Sequence, residues 1–123
     1  MSLNYESQLT YSSAKFDGVQ YTINRMSFGR RIELIRRIKD LVGRMEYFEA
    51  GATSAEKVEA SLLSAEIDRF YLEWGLTKVS GILIDGVEPT VASLVESAPE
   101  SLCEEILASI KAECGLSDEE RKN

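Results

Sequence analysis

The stretch from residue 27 to 49, SFGRRIELIRRIKDLVGRMEYFE, constrains this chain more than any other. Leu34, Ile38, Leu41, Met45 and Phe48 step by fours and threes, the spacing of a helix that packs along a seam. Phe28, Ile32, Ile35 and Val42 form a second apolar stripe beside the first. At 100° per residue the two stripes cover roughly 200° of helix, about twice the width of an ordinary surface helix. A helix of about six turns with such a surface is buried from two directions. Two arrangements satisfy it: the central helix of its own domain, or one seam inside and the other reserved for a partner or a second copy.

Ser27 is placed to cap this helix, and the turn Ala50-Gly51-Ala52-Thr53 to end it. Thr53 with Glu56 makes a capping box, which predicts a second helix from about residue 54. Its seam is Ala60, Leu63, Ile67, Phe70 and Trp74, with Gly75 as its stop. So short a connection favours antiparallel neighbours. Charge agrees. Arg30, Arg37 and Arg44 recur every seven residues beside the first seam, and Glu59, Glu66 and Glu73 recur every seven beside the second. Opposite charges flanking facing seams select helix pairs, provided both rows fall on the same side of the hairpin. If they do not, each is open to an external partner.

Residues 1–10 read as a loose lead-in. In YSSAKFDGVQYTIN, Asp17-Gly18 supplies the turn of a β-hairpin, and Val19, Tyr21 and Ile23 alternate with polar residues as in a half-buried strand. A lone hairpin is marginal, so something must cover its apolar side, the long helix being the nearest candidate. After Gly75, Val79 and Gly81–Ile84 suggest a short strand or packed loop before Asp85-Gly86. Thr90 caps a short helix through Glu96, and Pro99 opens a last helix with Leu102, Cys103, Ile106, Ile110 and Cys114 on one face. Gly115 stops it. Ser117 with Glu120 repeats the capping pattern, and 117–123 reads as a frayed, charged tail. The sum is a mainly helical α+β fold in one domain, 1–123: an N-terminal hairpin, a long antiparallel αα-hairpin, a short strand or loop, and C-terminal helices.

Function classes narrow by exclusion. The chain has no histidine, so the commonest general base and metal ligand is missing. It carries no glycine-rich phosphate loop and no nucleophile elbow, and its paired carboxylates, such as Glu104-Glu105, fall where a solvated helix face puts them. No catalytic, cofactor or metal residue is expected, and the chain is not expected to be an enzyme. Cys103 and Cys114 lie eleven residues apart in one helix, roughly 16 Å along its axis, beyond the ~7 Å limit of a disulfide. No apolar run reaches the roughly 20 residues that span a bilayer, and MSLNYESQ lacks the pattern of a signal peptide, which predicts a cytoplasmic protein.

Net charge is −7 but unevenly spread: residues 25–44 hold seven bases against two acids, and 85–123 hold ten acids against three bases. A basic helix raises nucleic acid as a partner. Glu33 and Asp40 interrupt its polar arc, however, and make ready i,i+4 pairs with Arg37 and Arg44. An unopposed basic face is what phosphate binding requires, so nucleic acid is disfavoured.

A more specific expectation comes from resemblance. The run Trp74-Gly75-Leu76, Val79, Gly81, Leu83-Ile84-Asp85-Gly86, Pro89-Thr90, Leu94, Pro99-Glu100, Leu102, Glu105-Ile106, Ile110 and Gly115-Leu116-Ser117, with Glu120-Arg121-Lys122-Asn123, resembles small phage and prophage tail proteins of the tail assembly chaperone type. The strand, Met26-Ser27-Phe28-Gly29-Arg30-Arg31 and the long helix are similar too, so the likeness spans about residues 15–123. It implies a non-enzymatic helper of tail assembly in the host cytoplasm that binds helical segments of the tape measure protein. It also implies a family often made in two lengths by frameshifting, for which Lys122-Asn123 and the unfinished cap at Ser117 are suited. The partner-binding residues expected on this reading are Phe28, Ile32, Ile35 and Val42, flanked by Arg30, Arg37 and Arg44. The alternatives are a structural tail or virion component, a homo-oligomer using the same seam, and a DNA-associated prophage regulator.

Overall fold

The computed structural model describes residues 1–115. In chain order these form β1 (Gln8–Ser12), β2 (Gln20–Asn24), α1 (Phe28–Glu49), α2 (Ser54–Gly75), β3 (Leu76–Ser80), α3 (Val91–Ser97) and α4 (Glu100–Cys114). The fold is mixed α+β and mainly helical. The cap expected at Ser117–Glu120 and the tail 117–123 lie outside the described residues. Contacts divide the chain into a helical unit, Ser27–Phe70, and a sheet unit made of Met1–Met26 with Tyr71–Cys114.

In the sheet unit the strands are antiparallel in the order β1-β2-β3, so β2 is central. Val19, Tyr21 and Ile23 are buried, as their alternation predicts, but Thr22 is buried as well. Thr22 is flanked by Thr10 of β1 and Lys78 of β3 in the central strand, and its hydroxyl keeps a partner in Thr10, Oγ1 to Oγ1 2.9 Å. The turn sits at Asp17-Gly18: the Val19 N–H donates to the Phe16 carbonyl at 3.1 Å, and Gly18 takes φ +83°.

Two boundaries differ from the sequence reading. The strand before the turn is Gln8–Ser12, which begins three residues inside the stretch expected to be a loose lead-in and ends at Ser12. Leu9 and Tyr11 alternate with Gln8, Thr10 and Ser12, but five residues at an exposed edge make a short pattern that is specified by pairing with β2. The third strand begins at Leu76, directly after α2, and stops at Ser80 instead of running through Ile82–Ile84. Gly81 stops it. Its φ is +83°, and a Cβ there would meet the Gly18 carbonyl oxygen, so only glycine lets the two turns approach. The apolar run beyond becomes a tight hairpin in which Asp85 and Gly86 both have positive φ (51° and 79°), the requirement of a type I′ turn. Ile84 and Val87 exchange backbone hydrogen bonds of 2.9 and 3.0 Å across it.

Within this unit α4 covers the central strand. Leu102, Ile106, Ile110 and Cys114 recur every four residues and are all buried. Beside them runs a polar row with the same step, Glu105, Ser109 and Glu113. Glu105 accepts from Ser13 Oγ and from the Ala14 N–H, both at 2.7 Å. Ser109 meets the Tyr21 hydroxyl at 2.7 Å, and Glu113 accepts the Met26 N–H at 2.9 Å. α4 is thereby fixed against β2 and the segments at both its ends. Gly75 ends α2 where Ile110 comes close: a Cβ there would lie 2.7 Å from Ile110 Cγ2.

In the helical unit α1 and α2 are joined by a short turn, and each helix is capped at its start. Ser27 accepts from the Arg30 N–H at 3.2 Å. Thr53 and Glu56 exchange the reciprocal bonds of a capping box, 3.1 and 3.3 Å. Leu34, Ile38 and Val42 are buried on α1, and Ala60, Leu63 and Ile67 on α2. The Arg37 guanidinium lies 5.0 Å from the centre of the Phe70 ring, which makes the two helices antiparallel neighbours.

Candidate partner-binding surface on the helical hairpin

The seven residues expected to meet a partner divide into three groups. Val42 is 4% exposed and belongs to the interior of the hairpin, not to a partner surface. Its position explains this. Of the four residues in the second stripe it lies nearest the first seam on the helical wheel, between Ile38, four residues before, and Met45, three after. Ile38 turns inward, and Val42 follows it. Ile35 is half-buried at the margin. Phe28 and Ile32 are exposed, at 87% and 43%. The second seam is therefore continuous in sequence and graded in space, from solvent at Phe28 to core at Val42.

That row leads into a groove. Phe28, Ile35, Val42 and Glu49 recur every seven residues, and Glu49 with Met45 forms one wall of a cavity of about 460 Å³ between the helices. The opposite wall is α2, which presents Lys57, Ala60, Ser61 and Ser64. Small side chains on that wall leave the space that the first seam does not fill.

The arginines lie elsewhere. Arg37 sits over Phe70 and also reaches Glu33, 3.7 Å away in its own helix, one of the two i,i+4 pairs expected. Glu66 is one turn before Phe70, and Glu59 is seven residues before Glu66. The Arg30/Arg37/Arg44 row and the Glu59/Glu66 row therefore share one side of the hairpin, as helix-pair selection requires. Arg30 is half-buried, and Arg44 lines a second depression, of about 590 Å³, with Lys39, Asp40, Gly43, Tyr47 and Phe48. The expected set is thus not one patch: Phe28, Ile32 and Ile35 form an apolar row, and the arginines lie beside the facing acids of α2.

Sequence reasoning misses two features. The first is an apolar stripe on α2 directed away from its seam, Val58 and Leu62 being 68% and 53% exposed. The three-four spacing that reveals it is masked by the stronger inner seam of the same helix. The second is the role of Glu105, which the sequence places on a solvated face. Hydrogen bonds from Ala14 and Ser13 hold its carboxyl below the usual range. Of the thiols, Cys114 is buried and Cys103 half-buried, neither is in a disulfide, and burial pushes Cys103 up, with Glu100 adding to the effect. Among the described residues no group of three or more His, Cys, Asp or Glu is placed to hold a metal ion, and no helix is long and apolar enough to cross a membrane. No family model matches the chain, and neither curated proteins nor solved structures offer a match to it.

Proposed function

We propose that this chain is an assembly helper that holds amphipathic helical segments of a longer protein along the groove of its α1–α2 hairpin. This is the role that the resemblance to phage tail assembly chaperones implies, with the tape measure protein as the partner. One observation carries the reading: an apolar row that is open at Phe28 and Ile32 runs into a groove walled by Ala60, Ser61 and Ser64. The part of the row open to a second helix runs from Phe28 to the half-buried Ile35, about 10 Å at 1.5 Å per residue, before the row turns inward at Val42. Helix-in-groove binding works in this way, through apolar anchors three and four residues apart on a preformed surface. A phenylalanine that is 87% exposed at the start of a helix gives up burial worth about 2 kcal/mol in the free chain, and docking recovers it.

On this reading a long, helix-rich protein is encoded beside this chain, and co-expression with it is the test. The two should co-purify, and Phe28→Asp or Ile32→Asp should remove the partner while circular dichroism of the free chain is unchanged. Recovery of the chain as a fixed component of finished tails would refute a transient helper. Val42→Asp is not a test of binding, because Val42 is in the interior.

A further inference from the structure

We infer that the outer edge of β1 is a pairing surface for a second copy of this chain, joining two three-stranded sheets into one. The register of β1 on β2 decides which backbone groups are left over. Alignment runs from Gln8↔Asn24 to Ser12↔Gln20, and just beyond its ends the Arg25 N–H donates to the Ser7 carbonyl and the Ser13 N–H to the Val19 carbonyl, both at 2.8 Å. In an antiparallel ladder, aligned residues alternate between pairs that exchange hydrogen bonds and pairs that do not. Ser7, Leu9, Tyr11 and Ser13 are therefore the residues bonded to β2, and the N–H and C=O groups of Gln8, Thr10 and Ser12 point away from it. All three are exposed, and β1 has no strand on that side among the described residues. The open row ends at Ser12, because the Ala14 N–H is taken by Glu105.

Natural edges are guarded by a charge, a proline or a bulge, and Gln8–Ser12 has none of them; the irregularity of this sheet lies between β2 and β3. Symmetry and side chains select the occupant. The open positions 8, 10 and 12 are centred on Thr10, so a twofold axis there sets Thr10 against Thr10 and Gln8 against Ser12 of the other copy, with about six hydrogen bonds in all. The same register sets Leu9 against Tyr11 of the other copy, twice. Tyr11 already stacks on Tyr21, ring centres 5.6 Å apart, and Leu9 lies opposite Ile23. The row Tyr21–Tyr11 of one copy thereby continues into Leu9–Ile23 of the other, and such cross-strand pairs are what stabilise a sheet. A shift of two residues keeps only one apolar pair, Leu9 with Leu9 or Tyr11 with Tyr11, and sets the other residue against Ser7 or Ser13. Charge does not oppose the contact: Met1–Met26 holds Glu6 and Asp17 against Lys15 and Arg25, so the strand's surroundings are balanced although the chain carries −7. The edge belongs to the sheet unit and does not rest on the proposed use of the helical groove.

Sedimentation of the whole 123-residue chain at rising concentration, with amide hydrogen exchange read residue by residue, tests this. A pairing of five residues is smaller than a standard stable interface, so the dimer should be weak and should build up between micromolar and millimolar chain. As it forms, exchange at Gln8, Thr10 and Ser12 should slow by more than at Leu9 and Tyr11, which are bonded to β2 in either state. Ser12→Pro removes an outward N–H and leaves the bonds to β2 in place, so it should weaken the dimer by about tenfold or more with circular dichroism unchanged. Ile32→Asp, on α1, should leave dimerisation as it is. A chain that stays monomeric throughout overturns the proposal, as it must if the edge serves a strand of another protein. So does a dimer in which the five amides slow alike, or one that folded Ser12→Pro does not weaken. Loss of the dimer on Ile32→Asp would trace it to the long helix and overturn it as well. Should Ser12→Pro not fold, the exchange pattern of the unaltered chain decides.

Discussion

Single residues set the turns of the sheet unit, and two glycines separate strain from contact. Gly18 and Gly81 share φ +83°, yet a Cβ at Gly18 meets nothing within 4 Å, whereas one at Gly81 meets the Gly18 carbonyl oxygen. Gly18→Ala should therefore cost only the left-handed penalty, about 1 kcal/mol. Gly81→Ala should cost more, about 2–3 kcal/mol, because the turn must also move. Urea unfolding of the two variants measures the difference, and equal midpoints would refute the close approach. Glu105 makes the matching prediction for pH. Its folded carboxyl titrates below its ordinary value of 4.5, so its stabilising effect is complete above that value and is lost as pH falls through the lower, folded one. Glu105→Gln should cost on the order of 1 kcal/mol at pH 7, since the site is near the surface. It should also flatten the loss of stability below pH 4.5, as thermal midpoints across an acid series would show.

At the scale of elements, the long helix combines two environments along one row. Val42→Asp buries an unpaired charge in the hairpin and should destabilise it by roughly 3 kcal/mol or more. Ile32→Asp, in the half of the row that is open to water, should change stability by less than about 1 kcal/mol. Denaturant titration of the two would show the row's gradient directly; a large effect at Ile32 would place it in the core and remove it from any partner. Thr53→Ala breaks the capping box at the start of α2 and should cost about 1 kcal/mol, measured in the same way. The caps at Ser27, Thr53 and Thr90 are legible in the sequence because capping is local, a side-chain oxygen and an N–H three residues on. β1 is missed because its alternation, Leu9 and Tyr11, is only two residues long, and an exposed edge strand is specified chiefly by the neighbour it pairs with.

For the whole molecule the balance of charge matters more than any pair. A net charge of −7 and an Arg37 already engaged by Glu33 and Phe70 argue against a polyanion as partner. Any retention on immobilised duplex DNA at low salt should vanish by about 0.15 M, because phosphate contacts weaken steeply with salt. Retention that persists would revive the nucleic-acid reading. The proposed partner follows from the resemblance to tail assembly chaperones, and the proposed means of holding it is the row that starts at the exposed Phe28 and Ile32.

Periodicity, capping residues and turn dipeptides determined most of the elements of this chain: the hairpin turn at Asp17-Gly18, the paired long helices, and the buried face of α4. These are local properties, written in spacings of two, three and four residues. Only the tertiary structure decided which apolar side chains are covered. Phe28 and Val42 belong to one stripe in the sequence, yet one is 87% exposed and the other 4%. Burial depends on what a second helix places opposite each position, and no periodicity along the first helix contains that. The same holds for Glu105, whose two donors come from a loop some ninety residues earlier in the chain.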